Sequence, residues 1–221
     1  MTVIVLLGGP GAGKGTQAAV LTERLGIPHV ATGDLFRAAV RDGSPMGLEA
    51  RRYMERGQLV PDEITIAMLL TRLEAPDAVD GAVLDGFPRN RPQAEALDAQ
   101  LEARGSRVDV AVYIDVPDEE LIRRLSGRWI CKEAGHIYHE LSHPPRVPGV
   151  CDLDGSPLIQ RADDQPDTIR ARLAGQLEAM HEVVDHYAGR GVLHKVNGRQ
   201  SIDAVAADMT ADVAAWMEGH A

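Results

Sequence analysis

The apolar run Val3-Ile4-Val5-Leu6-Leu7 passes directly into Gly8-Gly9-Pro10-Gly11-Ala12-Gly13-Lys14-Gly15-Thr16, and a helical pattern follows at once. A strand, a glycine-rich loop and a helix N-terminus in that order make a phosphate cradle. Backbone N–H groups of the loop and of the first helical turn converge, the helix dipole favours an anion there, and Lys14 adds a full positive charge. Gly8, Gly13 and Lys14 stand where the phosphate-loop pattern needs them, but the next position is Gly15 and the hydroxyl comes one later, at Thr16. The loop thus implies a nucleoside triphosphate without naming a reaction. Its bland alternative is a tight strand-to-helix turn with a solvated lysine.

The 221 residues allow one main domain with a sizeable core and small inserted subdomains. With 33 acidic and 23 basic residues the net charge is −10, so no general basic surface exists for nucleic acid or an anionic membrane. Any positive site must be local. No stretch has the length and unbroken apolarity of a membrane span, and the first residues lack the basic start, apolar segment and cleavage signal of a secretory leader. The expectation is a cytoplasmic protein. Two cysteines, Cys131 and Cys151, fit a reducing compartment better than a disulfide scaffold.

Short β-branched runs at Val3 to Leu7, His29 to Ala31, Ala82 to Leu84, Val108 to Val116 and Val192 to Val196 read as strands, with helical patterns between them. This alternation predicts an α/β fold: a parallel five-stranded sheet with helices on both faces and ligands beyond the carboxyl ends of the strands. Two stretches interrupt the rhythm. The first, residues 32–61, reads as a small helical subdomain, with Thr32 as helix cap, a break at Gly43-Ser44-Pro45 and a second helix ending near Gly57. The second, residues 127–164, is rich in Gly, Pro, His and Asp and reads as a small folded lid with β-like pieces at Arg128 to Cys131 and Ile137 to Tyr138. A long helix should follow, capped by Asp164 with Pro166 in its first turn, and with Ile169, Leu173, Leu177, Met180 and Val184 on one face.

After the third strand stands Leu84-Asp85-Gly86-Phe87-Pro88-Arg89, with Gln93 four residues beyond the arginine. Here the chain resembles the adenylate kinases, nucleoside monophosphate kinases of the long-lid bacterial type. The loop ending in Gly13-Lys14-Gly15-Thr16, Thr32-Gly33-Asp34 with Arg37, Gln58-Leu59-Val60, Asp85 to Arg89 with Gln93, and the lid arginines through Arg172 occur in the family's order over nearly the whole chain. The resemblance implies a P-loop NTPase type of fold with the residue 32–61 segment as a nucleotide-monophosphate subdomain. It implies Mg2+-dependent, reversible transfer of the terminal phosphoryl group of ATP to AMP by a monomer, giving two ADP.

The same resemblance implies which residues meet each nucleotide. ATP would lie on Gly11, Ala12, Gly13, Lys14, Gly15 and Thr16, with Arg124 and Arg128, and its base would lie near Ile137, Tyr138 and Gln200. AMP would meet Thr32, Arg37, the Gln58-Leu59-Val60 segment, Gly86, Phe87, Pro88, Arg89, Gln93, Arg161 and Arg172. Lys14, Arg89, Arg128, Arg161 and Arg172 would act on the transferred group, and Asp85 would position Mg2+ through water. Chemistry points the same way: two polyanions held end to end need arginines from several elements, and guanidinium offers paired donors that stay charged. Arg124 and Arg128, four apart, would share the end of one helix. Arg41, Arg51, Arg52 and Arg104 read as solvated surface charges.

Family members with a long lid often hold zinc through two Cys-x-x-Cys or Cys-x-x-Asp pairs. Cys131, Cys151 and Asp154 match three of those positions, but Ala134 occupies the fourth. Structural zinc almost always has four ligands. The preferred reading is a zinc-free lid held by packing and hydrogen bonds, beside a zinc site completed by His136 or water and a Cys131–Cys151 disulfide. Rival functions are a UMP, CMP or GMP kinase, which would use the same phosphate machinery, and a nucleotide switch without transfer chemistry. The switch would not need a second set of contacts at Arg37, Arg89 and Gln93.

Overall fold

The computed structural model describes residues 1–219. Along the chain run β1 (Thr2–Leu7), α1 (Lys14–Leu25), β2 (His29–Ala31), α2 (Thr32–Arg41), α3 (Pro45–Met54), α4 (Asp62–Leu73), β3 (Gly81–Asp85), α5 (Arg91–Glu102), β4 (Val110–Asp115) and α6 (Asp118–Ser126). They are followed by β5 (Arg128–Cys131), β6 (Ile137–His139), β7 (Leu158–Ile159), α7 (Pro166–Gly189), β8 (Leu193–Asn197) and α8 (Ile202–Gly219). Five strands form a parallel sheet in the order β2-β3-β1-β4-β8, as the alternation of patterns predicts.

Both faces of the sheet are covered, and β1 shows why its sequence is apolar at every position. Ile4 and Leu6 join Ala18 and Leu21 of α1 and Met209 of α8 in one layer. Val3, Val5 and Leu7 join Leu69 of α4, Leu97 of α5 and Val183 of α7 in the other. Strand alternation sends successive side chains to opposite layers, so neither parity can be polar. The stripe on α7 divides between these layers instead of serving one. Ile169 and Leu173 pack in the first and Met180 and Val184 in the second, because this 24-residue helix passes from one to the other.

Residues 32–61 hold α2 and α3 around a small core of Phe36, Ala50 and Val60. Gly47 lets the two helices touch, since a Cβ there would lie 2.1 Å from the Ala39 carbonyl oxygen. Residues 127–164 contain a three-stranded antiparallel sheet, β6-β5-β7, over a core of Cys131, Tyr138, Cys151 and Leu158. The strand at Leu158 to Ile159 is too short to show a period in the sequence.

Three local expectations are corrected. Ala31, not Thr32, is the cap residue of α2, and the Thr32 hydroxyl donates instead to the Gly86 carbonyl at 2.7 Å. Gln165, not Asp164, precedes α7, and the Asp164 carboxylate is taken by arginines. α6 ends at Ser126, so Arg124 lies on a helix and Arg128 on β5, and the two share no helix face. In the first two cases a tertiary partner won the side-chain oxygen that local capping would have used.

Candidate active site

The site lies beyond the carboxyl ends of the parallel strands. β1 ends in the glycine loop, β2 in Thr32, β3 in Asp85 and Gly86, and β8 in the turn at Gly198. Gly13 precedes α1 with φ 98°, a left-handed conformation that L side chains rarely adopt, and offers no side-chain cap. The N–H groups of the first turn are thereby left for an anion. Lys14 Nζ donates back to the carbonyls of Gly8 (2.9 Å) and Gly9 (3.1 Å). Desolvation pushes its pKa down to about 8, against the opposing pull of Asp85.

Asp85 sits beside the loop: a Cβ on Gly15 would lie 3.5 Å from its Oδ2 and 3.8 Å from Ile137 Cδ1 of the lid. Burial pushes the Asp85 carboxyl up, but a hydrogen bond with His29 Nε2 (3.3 Å) and the charges of Lys14 and Arg89 outweigh it and hold it below its ordinary value. This ionised single carboxylate suits a divalent ion that keeps most of its waters.

The arginines arrive from separate elements. Arg89 Nε donates to the Gly86 carbonyl (2.7 Å) and Nη1 to Gln176 Oε1 (3.3 Å), while Gln176 Nε2 reaches the Gly57 carbonyl (3.2 Å). Burial and then the nearby Arg172 push the Arg89 guanidinium down to about 10. Arg161 is lowered to about 10 by burial, then by Arg37 and Arg128, and its Nε is buried without a hydrogen-bond partner among the described residues. Arg128 pairs with Asp164 through two contacts (2.5 and 2.8 Å), and Arg172 reaches Asp164 (3.2 Å) and Asp163 (3.0 Å). Arg37 pairs with Asp34 at 2.5 Å. These guanidinium groups repel one another and stay charged at neutral pH, so the pocket is poised for anions.

Arg124 Nη2 donates to the Gly198 carbonyl at 2.7 Å, and Nη1 to Ala12 of the loop at 3.5 Å. It therefore ties the turn after β8 to the loop. Gly198 permits that turn, because a Cβ would meet Val116 at 2.4 Å. Gln200 gives its side-chain amide to Asp208 (2.8 Å) and its backbone N–H to the Asn197 carbonyl (3.4 Å). Ile137 is exposed on the lid, whereas the Tyr138 ring is buried in the lid core with its hydroxyl on the Asp152 N–H (2.8 Å) and beside Cys151 (3.4 Å). Any contact of Tyr138 with a base is accordingly left to its backbone. Phe87 and Pro88 are buried and Val60 packs in the residue 32–61 core, while Gln58 is exposed and Leu59 half-buried. Gln93 is buried and already hydrogen-bonded at both ends. Arg51 and Arg104 lie in exposed pairs with Glu55 and Glu74, as surface charges should.

In the lid, Cys131, His136, Cys151 and Asp154 bring one ligand atom each within 4.8 Å of one another. His136 Nδ1 is 3.2 Å from Cys151 Sγ, and Cys131 Sγ is 3.1 Å from Asp154 Oδ2. Both cysteines are free, and both are buried. Burial pushes the Cys151 thiol up, yet hydrogen bonds from Tyr138, the backbone and His136 leave it below its ordinary value. The fourth position, empty in the sequence pattern at Ala134, is filled in space by His136. Two thiols, an imidazole and a carboxylate make a donor set that could hold zinc.

Sequence reasoning missed Asp62, Gln176, His29 and the Asp163-Asp164 pair. Only the last had a visible signal, two carboxylates beside Arg161 just before a helix.

The adenylate kinase family model matches residues 6–192 of this chain. Proteins named adenylate kinase from Oceanobacillus iheyensis (47% identical over 206 residues, 93% of this chain and 96% of the relative) and Lysinibacillus sphaericus (49% over 208 residues, 94% and 96%) are similar along almost their whole length. So is one from Moorella thermoacetica, 49% identical over 202 residues, which are 91% of this chain and 93% of the relative.

Proposed function

The chain belongs to the adenylate kinase family and has its phosphotransferase activity, and from that premise we propose how its own residues hold ATP and AMP for the transfer. The observation that carries the reading is the convergence of Lys14, Arg37, Arg89, Arg128, Arg161 and Arg172 from six separate elements or turns on one region, with the buried Nε of Arg161 unsatisfied. One triphosphate would not need so many cations; two nucleotides meeting phosphate to phosphate would.

Residues Gly11 to Thr16 and Lys14 take the donor phosphates. Arg124 keeps the Gly198 turn closed on the donor side, with Ile137, Tyr138 and Gln200 around the base. Thr32, Arg37, Gln58 to Val60, Gly86 to Arg89 and Gln93 take AMP. Arg128, Arg161 and Arg172 reach the phosphates from the lid side, where Asp164 holds Arg128, and Asp163 and Asp164 hold Arg172, in place until phosphate oxygens compete. Asp85 would hold Mg2+, and the ion would supply charge neutralisation of the donor phosphates. No protein base is required, because the attacking AMP oxygen is already anionic. Residues 32–61 and 127–164, each with a small core of its own, are the two units that close over the substrates and exclude water. We read the protein as a cytoplasmic monomer without nucleic-acid or membrane partners, a compartment supported by its free thiols.

A coupled assay across AMP, CMP, UMP and GMP tests the reading. AMP is expected to be the best acceptor, and a better rate with another monophosphate would overturn it. The Lys14 pKa gives a second expectation. In the free enzyme Lys14 is an ammonium below about pH 8 and an amine above it. Bound phosphate favours the ammonium, so binding above pH 8 must carry a proton in, whereas below pH 8 it need not. ATP affinity should weaken above that point by up to about tenfold per pH unit. Calorimetry at about pH 8.5 in two buffers of different ionisation enthalpy should show proton uptake; equal heats would count against it.

The four-donor cluster in the lid favours a second reading, that the lid holds one zinc ion through Cys131, His136, Cys151 and Asp154. His136, with Nδ1 3.2 Å from Cys151 Sγ, would be the fourth ligand that Ala134 cannot provide.

A further inference from the structure

Gln93 is buried on α5, and partners of opposite kind pin the two ends of its amide. Oε1 accepts the Arg89 backbone N–H at 2.8 Å, and Nε2 donates to Asp62 Oδ1 at 2.7 Å. Asp62, the first residue of α4, also accepts from Asn90 Nδ2 at 3.0 Å, and Asn90 Oδ1 accepts the Gln93 backbone N–H at 2.9 Å. A backbone N–H only donates and an ionised carboxylate only accepts. Turning the amide over would set donor against donor and acceptor against acceptor, so its orientation is dictated by chemistry.

A free glutamine amide has no such preference, because a half-turn about its last torsion exchanges donor and acceptor. It can therefore read either of two base classes. Adenine presents the N1 acceptor beside the N6–H donor, whereas a 6-oxopurine presents an N1–H donor beside the O6 acceptor. After its protein bonds Gln93 keeps one N–H and one lone pair, in a fixed spatial order. For a base held in one place, that order suits the first class and opposes the second.

From this geometry we infer that Asp62 is a specificity-determining positioning residue, which locks Gln93 so that the site selects a 6-aminopurine monophosphate over a 6-oxopurine one. The inference rests on the reading of Gln93 as the contact to the acceptor base. Asp62 touches no reacting atom and acts only through the amide. A site built around fixed hydrogen-bonding groups rejects the wrong partner because its own donor or acceptor is left unpaired. Asp62→Asn keeps the shape but can donate as well as accept, and so removes one side of the lock.

The test is kcat/KM for AMP and for IMP in the wild type, Asp62→Asn and Gln93→Leu, with melting temperatures to verify folding. Asp62→Asn should narrow the AMP-to-IMP ratio by about tenfold or more, through the KM of the monophosphate and without change in the KM of ATP. Gln93→Leu should raise the KM of AMP. If it does so while Asp62→Asn keeps the wild-type ratio, the lock is overturned and the base contact stands. If Gln93→Leu leaves the KM of AMP unchanged, the base contact fails and takes the inference with it. Should Asp62→Asn not fold, Asp62→Ser also removes the carboxylate and carries the same expectation.

Discussion

Lys14→Met is expected to lower kcat/KM by about a thousandfold or more, mainly through kcat, with little change in melting temperature. The estimate follows from losses of about 10²–10³ for a single donor aimed at developing charge, and more where a full cation is removed from a phosphoryl-transfer site. In the proposed site Lys14 would meet both conditions. Its ammonium is desolvated among the carbonyls of Gly8 and Gly9, at the foot of a helix whose first turn has no side-chain cap. Methionine keeps an unbranched side chain one atom shorter, and the glycine conformations that shape the loop remain. What disappears is a charge whose interaction strengthens as negative charge moves between the phosphates, and such a loss falls on kcat. Arg123→Ala is the matched control, since among the described residues that exposed side chain pairs with Glu120 alone, and it should leave the rate within error. A loss below about tenfold in Lys14→Met would remove Lys14 from the transfer step.

The elements that frame this site were legible because each carries a local signature. β1 and β3 are apolar at nearly every position since helices cover both faces, and the loop announces itself by glycines in conformations an L residue rarely adopts, as at Gly13. That arginines from several elements meet in one region was legible through the order of motifs along the chain. Which carboxylates and carbonyls those arginines pair with was not. Arg128 meets Asp164 across 36 residues and Gln93 meets Asp62 across 31, and no period or spacing reports pairings of that range. The same cause misdirected the cap assignments of Thr32 and Asp164, whose oxygens serve Gly86 and two arginines from elsewhere in the fold. Of the two ways the sequence offered to complete a lid metal site, His136 or water, the β5–β6 turn favours the first by carrying His136 Nδ1 to 3.2 Å from Cys151 Sγ.

That donor leads to the second large effect. Protein purified without chelator is expected to carry one zinc per chain, and stripping the metal should lower the melting temperature by about 10 °C. The magnitude follows from mass action. A ligand at about a thousand times its Kd stabilises the state it binds by about 4 kcal/mol, and each kcal/mol moves the melting temperature of a chain this long by about 2–4 °C. The lid needs such a tie. Its own core is four buried residues, its strands are two to four residues long, and the intervening loop exposes Leu141, Val147 and Leu153. A metal bound by residues on both sides of that loop closes it and favours the folded lid. Cys151→Ser should lose the zinc and the chelator-sensitive part of the melting temperature together. His136→Ala should do the same if the imidazole is the fourth ligand; full zinc retention would give that place to water. Metal-free protein with a melting temperature indifferent to added zinc would restore the reading of a lid held by packing and hydrogen bonds alone.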